Sequence, residues 1–346
     1  MATINDVAKR AGVAISTVSN MINGTKYVSP ETTARIVAAI EELGYEADPV
    51  ARNMKSARSN MIGVIITNFS RVFFGRLLRE CRAIATARGF HLMCIDANDE
   101  FELEQQYVNT MRKNRFDAII LDTVADPDNA DYFRQLKLMA ATGKKTAVIS
   151  IERDLTAYGI DSVEADNYGG ARTATRHLLE CGCRRLLHIT GPQNSWAAEN
   201  RVRGFMDELK DGRAEGRTVY GDFSPQSGYD ATVRALRNGP AFDGVFASND
   251  QMAVGALSAL REAGVRVPED VRVIGFDDSF VASLVRPPLS SVRMPADMLG
   301  RHAMELALSR IENYSAPARL RSIETGLVVR SSTDPDAVEK EGFRNW

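Results

Sequence analysis

Long apolar runs are missing from this 346-residue chain. No stretch reaches the length that spans a bilayer and the first residues carry no apolar secretory segment, so a cytoplasmic location is expected. Cysteine is scarce. Cys81, Cys94, Cys181 and Cys183 are the whole complement, and Cys181-Gly-Cys183 has neither a second pair nor a histidine cluster nearby. That argues against a metal site and for reduced thiols in or beside a core. His91, His177, His188 and His302 make no HExxH or other paired-ligand spacing. No GxGxxG or Walker-type loop follows the first strand pattern, and Gly169-Gly170 lacks the lysine such a loop needs. Asp277-Asp278 is a poor acid–base pair, because adjacent residues at a strand end point in different directions. Catalysis, a metal and a cofactor are therefore not expected. Excess charge of one sign is also missing. The formal net charge is −2, and residues 1–60 hold seven Lys and Arg against six Asp and Glu, a weak field for general attraction to polyanions.

What is present begins near the N-terminus. Ile4, Val7, Ala8 and Ala11 fall at i, i+3, i+4 and i+7 and line one face of a helix. Val18, Met21 and Ile22 repeat the spacing on a second helix, and Gly12 supplies the tight turn that lets the two pack together. The outward face of the second helix is then Ser16, Thr17, Ser19 and Asn20, short polar side chains suited to base edges and phosphates. A third helix is announced by Ser29 as N-cap and Pro30 at the first helical position, and it stops at Gly44. Three helices in about 45 residues are too small for an enzyme by themselves.

The stretch TINDVAKRAGVAISTVSNMINGTKYVSPETTARIVAAIEELGYEADPVARNMK resembles the LacI-type family of bacterial transcription regulators, and the rest of the chain reads like that family's effector-binding core. The resemblance implies a small all-α helix-turn-helix headpiece over residues 1–47 and a hinge helix over 48–60. It further implies an α/β core of two doubly wound parallel-sheet lobes, periplasmic-binding-protein-like, over 61–333, then a tail over 334–346. Carried onto this sequence, Thr3, Ile15, Ser16, Thr17, Ser19, Asn20 and Lys26 meet DNA from the headpiece, with Asn20 suited to a bidentate pair with adenine. Ile15 also sits three residues before Val18, where it would be core. Relatives usually have Ser where this chain has Ala14 at the N-cap of the second helix, a loss of about 1 kcal/mol. Lys9, Arg10 and Lys26 are expected to face phosphates, because the acids cluster at the end of the third helix.

In the hinge, Arg52, Lys55 and Arg58 give three cations with no acid between Pro49 and Arg58. A helix of two turns is marginal without a partner, so it is expected to fold only on DNA, with Met54 in place of the family's Leu as the minor-groove wedge. Two headpieces meeting two half-sites of a pseudo-palindromic operator imply a homodimer. The tail has no heptad of leucines, so no tetramer device is expected.

From Met61 onward, short apolar strands alternate with amphipathic helices: MIGVIIT, HLMCID, FDAIILD and TAVISIE, then a second series opening near Val163 with RRLLHIT, DGVFASND and VRVIGFDD. Two series imply two lobes, the first over about 61–162 and 292–321, the second over about 163–291 and 322–333, with ligands held beyond the carboxyl ends of the strands. There stand Asn249, Asp250 and Asp277, with Arg201 early in a helix, a donor and acceptor set suited to the hydroxyls of a sugar. Phe73, Phe74, Trp196 and Phe223 are candidate apolar walls, Phe74 equally a core residue. Glu152 replaces the Asp usual in relatives, and its longer arm is expected to shrink the pocket. A secreted sugar-binding protein would not need the headpiece, and a sugar-modifying enzyme would need a nucleotide or metal site. A DNA-binding transcription regulator, a repressor governed by a small polar effector, is the reading that uses both halves.

Overall fold

Glycine ends each of the three helices described in the N-terminal unit. Helices α1 (Ile4–Ala11), α2 (Ile15–Asn23) and α3 (Pro30–Leu43) are each followed by a glycine with positive φ, at Gly12 (65°), Gly24 (61°) and Gly44 (56°), a conformation cheap only without a Cβ. These helices belong to a computed structural model that describes residues 2–24, 26–45, 58–141, 145–210, 212, 214–237 and 242–337. The chain divides into two units, residues 1–59 and 60–346. The hinge positions Arg52, Met54 and Lys55 and the end of the tail lie outside the described residues.

In the first unit, Val7, Ala8, Ala11, Val18, Ile36 and Ala39 form the core, with Ile4, Met21, Ile22 and Ile40 packed around it. The periodic stripes thus meet one another. Helix α1 opens with a reciprocal cap: Asp6 N–H donates to the Thr3 hydroxyl, and Thr3 N–H donates back to the Asp6 carboxylate at 2.9 Å. These bonds hold the Asp6 carboxyl below its usual range. Helix α3 is capped by Ser29 with Pro30 inside it. Helix α2 starts at Ala14 with no side-chain cap.

The second unit contains two sheets. In chain order come β1 (Met61–Ile66), α4 (Phe74–Ala87), β2 (His91–Asp96), α5 (Phe101–Lys113), β3 (Ala118–Asp122), α6 (Ala130–Met139), β4 (Ala147–Ile151) and β5 (Asp161–Ala165). There follow α7 (Asn167–Glu180), β6 (Arg185–Thr190), α8 (Trp196–Glu208), β7 (Glu215–Tyr220), α9 (Pro225–Leu236) and β8 (Gly244–Ala247). Last are α10 (Asp250–Glu262), β9 (Arg272–Asp277), α11 (Phe280–Leu284), β10 (Ser290–Arg293), α12 (Ala296–Glu312), β11 (Leu320–Ile323) and β12 (Gly326–Val328). The first sheet has the order β11-β5-β4-β3-β1-β2 and the second β12-β10-β9-β8-β6-β7. All pairings are parallel except β10 with β12. Strands β1, β3, β4 and β8 are buried almost throughout and read as mainly apolar runs and not as alternating ones, because helices cover both sheet faces.

The chain passes between lobes three times: from β5 to α7, from β10 to α12, and from β11 to β12. The strand near Val163 therefore closes the first series. It pairs with β4 and β11, so the expected start of the second lobe falls one strand early. Between Leu320 and Val328 the chain makes two short strands, β11 and β12, one on each side of the third passage. Strand β10 carries Ser290 and Ser291 on a short run that periodicity does not mark, and β7 is polar and half-exposed, so neither was legible.

Gly169-Gly170 serves the fold. A Cβ on Gly170 would stand 2.8 Å from the Phe276 ring and the Thr325 hydroxyl, so α7 sits against the second sheet only with glycine there. Cys81 and Cys183 are buried, whereas Cys94 is exposed on β2, contrary to the expectation that all four lie in or beside a core. His188 is fully buried, stacked on Phe246 and hydrogen-bonded to Ser248, and burial pushes its pKa down to about 3, so it is a neutral core residue.

Candidate functional site

Two surfaces carry the side chains singled out above, one in each unit. On the headpiece, burial of Val18 turns the opposite side of α2 outward. Ser16 is exposed, Thr17, Ser19 and Asn20 are half-exposed, and Ile15 is 43% exposed, which assigns it to the surface and not to the core. Lys26 is exposed, and beside it Tyr27 is 88% exposed. Tyr27 was not singled out from sequence; an aromatic so free of packing, next to a cation, is a signal only burial reveals. Thr3 is exposed and uses its hydroxyl in the α1 cap, and exposed Arg10 pairs with Glu42 at 2.6 Å, fastening α1 to α3.

In the second unit a cavity of about 340 Å³ lies between the lobes, beyond the carboxyl ends of the strands. From the first lobe it is lined by Thr67, Arg71, Phe73, Phe74, Asp99, Asp122, Thr123, Val124, Glu152 and Arg153. From the second come Pro192, Asn194, Ser195, Trp196, Ala197, Arg201, Phe223, Asn249 and Asp277, with Met294 at the second passage. Ser195 caps α8 and so places Trp196 at the helix's first position and Arg201 on its inward side. Asn249 caps α10, its carbonyl accepting from Met252 N–H and its amide donating to the Phe223 carbonyl, which holds Phe223 at a positive φ of 70°. Arg71 lies over the Phe223 ring at 4.9 Å and thus reaches from one lobe to the other. Gln251 also bridges the lobes, accepting from Val72 N–H and donating to the Ser70 carbonyl, both at 3.2 Å.

The polar groups form linked sets. On one wall, Asp99 accepts from Arg71, Arg71 donates to the Thr67 hydroxyl, and Thr67 donates to Asp122. On the other, Arg201 donates to the Asn167 carbonyl at 2.9 Å and to the Ser248 carbonyl, lies 3.9 Å above the Phe276 ring, and stands 4.0 Å from Asp277. Asp277 ends β9 at a φ of 103°, a strained turn that points its carboxyl into the cleft. Burial dominates the electrostatics: it raises Asp122 to about 6, raises Glu152 above its ordinary range and Asp277 well above it, and lowers Arg201. Arg153, 5% exposed, donates to the Ala125 and Asn194 carbonyls while its Nε has no partner. A buried, unpaired donor costs free energy that a bound acceptor would recover.

Most cleft residues expected from sequence meet here: Phe73, Glu152, Trp196, Arg201, Phe223, Asn249 and Asp277 all line the cavity. Phe74 does so while also belonging to the core. Asp250 does not. Its carboxylate accepts from Ser291 Oγ and Ser279 N–H, both at 2.6 Å, and burial raises its pKa to about 7, so it anchors the turn after β9 beneath the cavity. Glu152 does not shrink the pocket with its longer arm. It turns back to accept from Ala165 N–H at 3.1 Å and from the Asn167 amide at 2.9 Å. Sequence reading missed Thr67, Arg71, Asp122 and Arg153, although each follows or ends an apolar strand run; the strand-end rule applied to every strand would have found them. It also missed Glu104, buried behind the cavity, which accepts from Thr123 Oγ, Val124 N–H and the Tyr132 hydroxyl and so fixes the lining loop.

Comparison with known proteins finds relatives for both units. Residues 3–48 match the model of bacterial regulatory proteins of the lacI family, and residues 175–333 match a periplasmic binding protein-like domain. The chain is 33% identical over 333 residues to the ribose operon repressor of Halalkalibacterium halodurans, covering 96% of this chain and 97% of that protein. Among solved structures, the Lac repressor dimer bound to operator and the anti-inducer ONPF superposes with a TM-score of 0.84 at 25% identity, covering 96% and 99% of the two chains. The transcriptional regulator CelR in complex with cellobiose superposes with a TM-score of 0.70 at 30% identity, covering 96% and 100%.

Proposed function

The chain belongs to the lacI family of bacterial regulatory proteins, and from that premise we propose which residues read DNA and what the cleft binds. It is a DNA-binding transcriptional repressor regulated by a small effector, and not an enzyme. Ile15, Ser16, Thr17, Ser19 and Asn20 on the outward side of α2 enter the major groove, Asn20 reading an adenine. Lys26 and Tyr27 meet the backbone. A homodimer grips the two halves of a pseudo-palindromic operator in the cytoplasm, and Arg52, Met54 and Lys55 contact DNA between the half-sites.

The effector is a neutral polyhydroxylated molecule of monosaccharide size, and its binding releases the operator. One observation carries the polyol reading: the cavity is lined by the carboxyls of Asp122 and Asp277, the guanidinium groups of Arg71 and Arg201, and a flat apolar wall at Trp196. Hydroxyls both donate and accept, so a polyol answers such a set, while a ring face stacks on the indole. Four carboxyls, Asp99, Asp122, Glu152 and Asp277, share the cavity with three arginines, so a hydroxyl-bearing ligand meets both acceptors and donors. At about 340 Å³ the space lies at the small end of ligand pockets.

The test is a thermal-shift screen with neutral pentoses and hexoses, sugar phosphates and nucleobases, followed by fluorescence anisotropy on palindromic and random duplexes. A neutral sugar is expected to raise the melting temperature and to weaken binding to the palindromic duplex. Stabilisation by phosphates or nucleobases alone overturns the polyol reading. Equal affinity for random duplex would overturn the assignment of α2.

A further inference from the structure

Building on the polyol reading of the cleft, we propose that Asn167 is a positioning residue that holds Glu152 and Arg201 apart and ties both to the first passage between the lobes. Asn167 is buried and does not itself line the cavity. Its amide nitrogen donates to Glu152 Oε2 at 2.9 Å and to the Ala165 carbonyl at 3.2 Å, and its carbonyl accepts from Arg201 Nε at 2.9 Å. Those three partners fix which end of the amide faces which charge. A flipped amide would set oxygen against the carboxylate and the Ala165 carbonyl.

The arrangement needs a spacer. A carboxylate and a guanidinium buried together attract strongly and close into a two-bond pair wherever the chain allows it. Such a pair would satisfy both groups and leave neither for the hydroxyls of a ligand. Only a neutral side chain with a donor at one end and an acceptor at the other keeps opposite charges bonded yet separate, and a primary amide is the compact one. Both charged residues line the cavity, Glu152 from the end of β4 in the first lobe and Arg201 from α8 in the second. Asn167 is the first residue of α7, immediately after the chain leaves β5, and Glu152 also accepts from Ala165 N–H on the other side of that passage. A ligand that draws on Glu152 or Arg201 therefore pulls on the segment about which the lobes move. This also accounts for Glu at position 152, since its arm is spent on the passage.

The experiment is a double-mutant cycle with Asn167→Ala, Glu152→Gln and the combination, read by calorimetric titration with D-ribose, D-xylose, D-glucose and D-galactose. Asn167→Ala is expected to weaken the sugar bound by the wild type about tenfold, and less than about threefold once Glu152 carries no charge. A crystal structure of sugar-free Asn167→Ala should show Glu152 and Arg201 closed into a direct pair at about 2.7–2.9 Å. Equal losses in both backgrounds, or unchanged affinity, overturn the proposal. If the wild type binds none of the four sugars, the polyol reading fails while the crystal structure still decides this one: a gap left open between Glu152 and Arg201 overturns it. Should Asn167→Ala not fold, Asn167→Ser, whose hydroxyl is too short to bridge, carries the same cycle.

Discussion

Helix α2 gathers its polar face, Ser16, Thr17, Ser19 and Asn20, from within five consecutive positions, whereas the cleft collects Thr67, Asp122, Glu152, Arg201 and Asp277 from strand ends and a helix spread over positions 67–277. The first surface is what remains when a small core takes Val18 away from solvent. The second exists only because two sheets present their carboxyl ends to each other. The contrast extends to polar satisfaction. On α2 the short side chains meet water and cost little. In the cleft the charged groups are buried, their pKa values displaced, and nearly every atom is held by a neighbour. A recognition surface made by exposure tolerates substitution, whereas one made by burial transmits it.

The largest effect that separates the two regions should come from Ile36→Ala. The side chain is fully buried in the headpiece core, and its truncation costs about 2–5 kcal/mol, enough to melt so small a unit. Operator binding should be lost while calorimetry shows sugar binding unchanged; loss of both would mean that the units do not stand apart as DNA reader and sensor.

Next, Gln251→Ala removes two hydrogen bonds that join the lobes, about 0.5–1.5 kcal/mol each. Stopped-flow fluorescence of Trp196 should show the sugar leaving roughly tenfold faster with little change in its arrival. Slower arrival with unchanged release would place the clasp elsewhere.

Ala14→Ser supplies the missing cap of α2 and should stabilise the headpiece by about 1 kcal/mol without altering operator preference. Calorimetric melting of the headpiece transition decides it, and an unmoved transition would sink the cap assignment.

The smallest effect concerns pH. Burial raises the Asp122 carboxyl from 3.8 to about 6, so the folded state holds that proton more tightly than the unfolded chain does. Its contribution to stability is fully present below pH 3.8 and is lost as pH rises through about 6. Asp122→Asn should flatten that part of the profile of melting temperature against pH and raise the melting point above pH 6. A steeper profile in the variant would reverse the sign.

The headpiece was almost fully legible because its determinants are local. Stripe spacing, Ser29-Pro30 and the glycine stops fix each helix within a turn of itself, and the three faces have only one another to bury against. The core was legible as alternating strands and helices, yet Val163 was assigned to the wrong lobe, since an apolar run says that a strand is buried and not which sheet accepts it. The site was legible in part. Asn249 and Asp250 look alike in the sequence, both polar residues after the same strand, and only packing sends one to the cavity and the other to Ser279 and Ser291. Likewise nothing in the order of residues says that Glu152 bends back to Asn167 or that Arg153 keeps an unpaired nitrogen.

The sequence by itself determined the helix pair and its outward polar face, the two-series α/β plan and the polar chemistry at the strand ends, because these depend on periodicity and on contacts a few residues apart. Tertiary structure alone decided which strand ends share a cavity, which carboxylates stand free in it and which are anchors, and where the lobes clasp. Those outcomes depend on distances between residues tens to hundreds of positions apart, which only the packing of sheets and helices sets.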